Sequence, residues 1–134
     1  MTVKIIIDAT QGSLGRVAVL AAKQSLLGKE VAVVNCNEAV LTGNPRTTVA
    51  HYQQKRARGG SAQKGPNFPK SPERIMKRTV RGMLSHTQGR GLAALKRIMC
   101  YNGLPEEFKT AEKMSLKKVH HAKTIKLSQL SEEL

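Results

Sequence analysis

The sequence predicts an α/β fold built on a parallel sheet. Three short runs carry that reading: 3–8 (VKIIID), 31–35 (VAVVN) and 98–101 (IMCY). Each is nearly continuous in apolar residues. Strands of that kind are covered on both faces, as central strands of parallel sheets are, whereas half-wet antiparallel strands alternate. Between the first two runs, Leu14, Val17, Ala18, Ala21 and Ala22 recur at helical spacing. Strand, helix, strand in that order is a βαβ unit, whose crossover is expected to be right-handed.

The first helix is expected over 14–27, with Ser13 as its N-cap and Gly28 just past its end. After the second strand, 37–41 suits one helical turn, stopped by Gly43. Asn44 and Pro45 then form a cap-and-start pair for a strongly polar helix over 46–56. Residues 57–69 (ARGGSAQKGPNFP) are rich in Gly, Pro and small polar residues. They predict an extended surface loop, mobile until a partner orders it.

The clearest helix is 71–84 (SPERIMKRTVRGML). Ser71 is expected to cap it, Pro72 takes its first position and Glu73 complements the dipole. Met76, Val80, Met83 and Leu84 share one face, with Ile75 at its margin. Arg74, Lys77, Arg78 and Arg81 fall on the other side. Gly82 is expected to permit a close backbone approach at a cost in helix propensity. A turn at 86–90 and a short helix at 92–96 lead into the third strand. Residues 106–119 carry no clear pattern. Residues 124–127 (TIKL) suit a fourth, edge strand, and 128–134 a final helical start.

At 134 residues and 40% hydrophobic content the chain fits one domain, 1–134, with a real core. No apolar run is long enough to span a bilayer, and no signal peptide is read at the N-terminus. Cys36 and Cys100 lie in or beside apolar runs, so reduced, buried thiols are expected over a disulfide.

Charge separates the function classes. The chain carries a formal +14, with a pI near 10.3. Residues 46–97 hold thirteen Lys/Arg and one carboxylate, Glu73, a net +12. The flanks, 1–45 and 98–134, are each +1. Such a block repels itself, and counterion release makes nucleic acid its default partner. Salt bridging to the chain's own acids cannot neutralise it, because too few exist. The candidate RNA-binding residues are Arg46, Lys55, Arg56, Arg58, Lys64, Lys70, Arg74, Lys77, Arg78, Arg81, Arg90, Lys96 and Arg97. No Trp, two Tyr and two Phe argue against base-stacking platforms, so phosphate and shape recognition is expected.

Other chemistries are weaker. The turn Gly12-Ser13-Leu14-Gly15 follows a strand and opens a helix, where phosphate loops sit. It lacks both the dinucleotide and the P-loop glycine spacing. Asp8 ends the first strand with no second catalytic group at a visible spacing, so a hydrogen bond to the turn is the simpler role. His51, His86, His120 and His121 give no zinc spacing with two distant cysteines. Arg58-Gly59-Gly60 is one isolated RGG-like triplet. No catalysis, cofactor, metal or small-molecule substrate is expected. The rivals are a small enzyme using Asp8 and the 12–15 turn on a nucleotide, and a free-standing RNA chaperone.

Asp8-Ala9, Leu14-Gly15-Arg16 and Leu27-Gly28-Lys29 resemble the opening of the large-subunit ribosomal protein L13 (uL13) family. Val33-Val34-Asn35 followed by Thr42-Gly43-Asn44 is similar to its second strand and next turn. Lys64-Gly65-Pro66 and Ser71-Pro72 continue the likeness. Thr79-Val80-Arg81-Gly82-Met83-Leu84 is its most specific part. Ala94-Leu95-Lys96-Arg97 through Tyr101-Asn102-Gly103-Leu104-Pro105 is similar to the last core strand and exit. The likeness spans residues 3 to about 127 and is nearer the archaeal branch in the central loop and brief C-terminus. Asn67-Phe68-Pro69 and the tail ending at Leu134 depart from the pattern. The resemblance implies a three-layer α/β/α domain around a four-stranded parallel sheet, with a basic helical and loop insertion at about 46–97. It also implies a cytoplasmic, ribosome-bound, non-catalytic protein that binds large-subunit rRNA early in assembly, beside other large-subunit proteins.

Overall fold

A computed structural model describes residues 4–57, 69–116 and 123–134. Its centre is a parallel pair, β1 (Lys4–Asp8) and β2 (Glu30–Val34), registered Lys4 to Glu30 through Asp8 to Val34. The helix α1 (Leu14–Leu26) joins them. β4 (Ile98–Cys100) pairs with the outer edge of β2, and β5 (Met114–Ser115) with that of β1. The sheet order is therefore β4-β2-β1-β5, four parallel strands.

The alternate faces of the strands fill two cores. Ile7, Val31 and Val33 meet Leu14, Val17, Ala18 and Ala21 of α1, and Ile75, Met76 and Val80 of α3 (Pro72–Met83). Ala94 of α4 (Gly89–Lys96) and Leu127 and Leu130 of α5 (Leu127–Glu133) close the same core. The alanines keep α1 narrow, so its axis lies close to the sheet and to α3. On the opposite face Ile6, Ala32 and Val34 pack against Phe108, with Tyr101, Leu104 and Ala111 around it. That third layer is thin: residues 101–111 around a 3-10 turn at Glu106–Phe108.

Several local details differ from the sequence pattern. β4 is an edge strand and Met99 is 54% exposed, so its apolar run does not signal a central position. The fourth parallel strand is β5, which lies in the patternless 106–119 stretch. Thr124–Lys126 forms β6 as expected, but it pairs antiparallel with β3 (Val40–Thr42) in a separate two-stranded ribbon. The expected turn at 37–41 is a 3-10 turn at Cys36–Glu38 followed by β3. On α3, Ile75 is buried and Met83 is 42% exposed. This helix packs on α1, β4 and the 3-10 turn together, which swings its buried arc toward Ile75. Neither Ser13 nor Ser71 caps through its side chain. Instead, Asn102 Oδ1, just past the end of β4, accepts the Glu73 N–H at 3.1 Å and closes the start of α3. Nor does Gly82 admit a close approach, since an added Cβ would meet nothing within 4 Å among the described residues. Gly91 does: a Cβ there would lie 2.0 Å from the Ser85 carbonyl oxygen.

The ribbon positions α2 (Pro45–Ala57). Gly43 turns the chain at φ 127°, its N–H donating to the Lys123 carbonyl at 2.7 Å. Asn44 then caps the helix as expected, its Oδ1 accepting the Arg46 N–H at 3.0 Å. No residue of α2 is buried. The 58–68 loop, with Arg58 and Lys64, lies outside the described residues.

Candidate nucleic-acid interface

Two helices of the insertion carry the densest charge. On α3 the core side is fixed by Ile75, Met76 and Val80, and the 3.6-residue repeat throws the intervening cations outward. Arg74, Lys77, Arg78 and Arg81 line one hollow of about 270 Å³ with Pro69. Arg74 is exposed, and Arg78 and Arg81 are half-buried. Burial, and then the neighbouring Arg81, hold the Arg78 pKa below its usual range. A guanidinium remains charged even so, and the like charge beside it marks a place where an anion is welcome.

A second cavity, about 190 Å³, opens between α2 and α3. Tyr52, Lys55, Pro69, Ile75, Arg78, Thr79 and Gly82 line it. Lys55 Nζ lies 5.3 Å above the Tyr52 ring centroid, and burial pushes the Tyr52 phenol up. Arg78 and Pro69 are shared by both hollows, so the two form one continuous basic track.

The remaining candidates divide. Arg56, Lys70, Arg90 and Lys96 are exposed. Arg46 is exposed but lines a different groove of about 790 Å³ between α2 and α5, together with Glu132 and Glu133. Arg97 Nη1 donates to the Ser25 carbonyl at 2.9 Å and ties β4 to the end of α1. Lys77 Nζ donates to the Leu95 carbonyl at 3.1 Å and also to the Ile98 carbonyl. Burial lowers its pKa, with Cys100 working the other way. Lys77 and Arg97 therefore hold the fold together beneath the basic surface as well as adding charge to it.

Among the described residues, no carboxylate lines the basic track. Glu73 borders the two cysteines, where its charge raises both of their pKa values, and its Oε2 is buried without a hydrogen-bond partner among the described residues. The ion pairs formed among the described residues, Lys109–Glu106 and Lys126–Glu38, both lie outside 46–97. Tyr52, Thr79 and Gly82 were not legible as lining residues of this cavity; only the i, i+3 spacing of Tyr52 and Lys55 points to a shared face.

The rival nucleotide turn is closed. The Gly12 N–H donates to the Ala9 carbonyl, and a Cβ on Gly12 would lie 2.9 Å from a Val17 methyl. Asp8 Oδ1 accepts from the Thr10 amide (3.0 Å), the Thr10 hydroxyl (2.7 Å) and the Asn35 amide (3.1 Å). Its carboxylate thus binds the turn, as the simpler sequence reading had it. Cys36 and Cys100 are free thiols that face each other. Their mutual contact pushes Cys36 up and Cys100 down.

A sequence model of ribosomal protein L13 matches residues 2–107, which takes in β1 to β4 and the whole basic track. The chain belongs to the ribosomal protein L13 family. Among L13 relatives, the large ribosomal subunit protein uL13 of Methanosarcina barkeri is 40% identical over 96% of each chain. That of Natronomonas pharaonis is 41% identical over 97% of this chain and 90% of its own. That of Archaeoglobus fulgidus is 45% identical over 80% of this chain and 68% of its own. All three are archaeal, as the sequence likeness indicated, and L13 membership accounts for the order of the motifs from Asp8 to Pro105.

Proposed function

We propose that this protein is a structural, non-catalytic constituent of the large ribosomal subunit in the cytoplasm, and that it binds folded large-subunit rRNA from an early stage of assembly. The names of its relatives support the ribosomal assignment. One observation supports the RNA contact: the carboxylate-free track along α3, flanked by a helix that buries none of its residues. A polar helix held to the core only through half-buried Val49 and Tyr52 gains little from its own fold and suits an outside partner.

In this reading the domain 1–134 presents the insertion 46–97 to RNA. Arg74, Arg78 and Arg81 bind phosphates from one face of α3, with Lys77 adding charge from below. Lys55, Arg56, Arg58, Lys64 and Lys70 follow the strand across α2 and the loop. Arg90, Lys96 and Arg97 extend the patch, and Arg46 lies at its far edge. Neutralising converging phosphates lets RNA helices pack closely. The groove between α2 and α5, with Glu132 and Glu133, repels phosphate and faces neighbouring large-subunit proteins.

Two measurements test this. In a sucrose gradient at moderate salt the tagged protein should travel stoichiometrically with large subunits; a free-standing RNA chaperone would stay at the top. Replacing Arg74, Arg78 and Arg81 together by Ala should weaken rRNA binding and flatten the slope of log affinity against log salt by about 2 to 3. An unchanged slope removes α3 from the interface.

A further inference from the structure

The cleft between α2 and α3 has a character that phosphate binding alone does not call for. A phosphate needs only exposed cations on an open face, which the hollow along α3 provides. The cleft instead combines apolar walls, Tyr52 and Ile75, with two cations, Lys55 and Arg78, and no carboxylate. A planar apolar face next to a negative charge is the chemistry of a single nucleotide. Gly82 stands on the same lining, and beyond its own neighbours and helix backbone no described atom lies within 4 Å of where its Cβ would be. Glycine near a helix end costs propensity, and here the folded chain draws no packing benefit from it. Its missing side chain leaves the cleft open.

We propose that this cleft takes one unstacked nucleotide of the bound RNA, its base against Tyr52 and Ile75 and its phosphate on Arg78. The inference rests on the rRNA-binding reading above and adds a specific contact to it. Because Arg78 and Pro69 belong to both hollows, a strand running along α3 can turn one base into the cleft without leaving the basic track. One aromatic wall accommodates one base, which fits a chain too poor in aromatic residues for a stacking platform. The cleft thereby selects RNA with an extruded nucleotide over a regular duplex.

The test uses the full chain and a transcript of its own large-subunit rRNA. Gly82→Leu fills the cleft without removing charge. It should weaken binding on the order of tenfold, as loss of one stacked base does, with the salt slope unchanged. Gly82→Ala adds one methyl group and should melt at or above the wild-type temperature, showing that the helix tolerates the position. Short-wave ultraviolet cross-linking of the wild-type complex should leave a nucleotide adduct on the α2 peptide at Tyr52, lost in Gly82→Leu. Wild-type affinity in Gly82→Leu overturns the proposal, and so do adducts confined to peptides other than that of Tyr52. If the wild-type protein shows no salt-dependent rRNA binding at all, the reading beneath falls as well. Normal binding with a silent Gly82→Leu sinks the cleft alone.

Discussion

Lys77 shows how one residue type serves two ends in this chain. By spacing it belongs with Arg74, Arg78 and Arg81, yet its ammonium is bound to the carbonyls of Leu95 and Ile98. Removing it takes the side-chain donor from the Ile98 carbonyl and one of two donors from the Leu95 carbonyl, where α4 meets β4. Lys77→Ala should therefore cost about 1–3 kcal/mol of stability, measured by urea unfolding. Arg74→Ala, at an exposed position, should cost less than ~0.5 kcal/mol. If both variants unfold alike, Lys77 is a surface cation and nothing more. Asp8 is a second such case. Burial alone would raise its pKa, but bonds from Thr10 and then Asn35, with Lys113 nearby, hold it below the usual range of an aspartate. A carboxylate depressed on folding stabilises fully above its unfolded pKa, and that contribution drains as pH falls through the folded value. Between pH 6 and pH 3 the wild type should lose more stability than Asp8→Asn, whose side chain does not titrate. Equal losses would mean that the Asp8 bonds do not depend on its charge.

At the level of elements, α2 stands apart. None of its thirteen residues is fully buried, and its moorings are few: Val49 and Tyr52 half-buried against the core, the Asn44 cap, and Gln53 Nε2 donating to the Glu133 carbonyl at 3.0 Å. Isolated helices of this length are marginal in water. Amide hydrogen exchange should be fast along α2 in the free protein, while α1 and α3 stay protected by their core contacts. Bound to rRNA, α2 should slow by at least an order of magnitude. Fast exchange in both states would place the RNA elsewhere. The elements legible in the sequence are those whose signal is local: the buried strands β1 and β2, the alanine face of α1, and the two-sided α3. What escaped is non-local. β5 has two residues and exists only because β1 offers an edge. β6 was legible as a strand, but its partner β3 was not. Asn102 caps α3 from 29 residues away. Of the interface, the arginine face could be read from spacing, whereas the cleft needed α2 and α3 side by side.

For the whole molecule, the relevant fact is where the charge is and what lies beneath it. The sheet and its first helix come from nearly neutral sequence, while 46–97 carries +12. Folding gathers those charges, so the free protein works against its own repulsion, and salt relieves it. Raising NaCl from about 20 mM to about 300 mM shortens the screening length from roughly 20 Å to roughly 6 Å. The melting temperature of the free protein should then rise by about 3–5 °C, as ~1 kcal/mol does in a domain of this size. Over the same range, affinity for rRNA should fall by orders of magnitude, because the ions that shield the lone protein compete with it for phosphate. These opposite responses to one variable have a common cause, the cations clustered on α2 and α3. The Arg74, Arg78 and Arg81 triple-alanine variant should blunt both: less gain in melting temperature with salt, and a shallower loss of affinity. A melting temperature indifferent to salt would show that the folded chain already disperses its charge, and the case for a polyanion as its missing counterpart would fail with it.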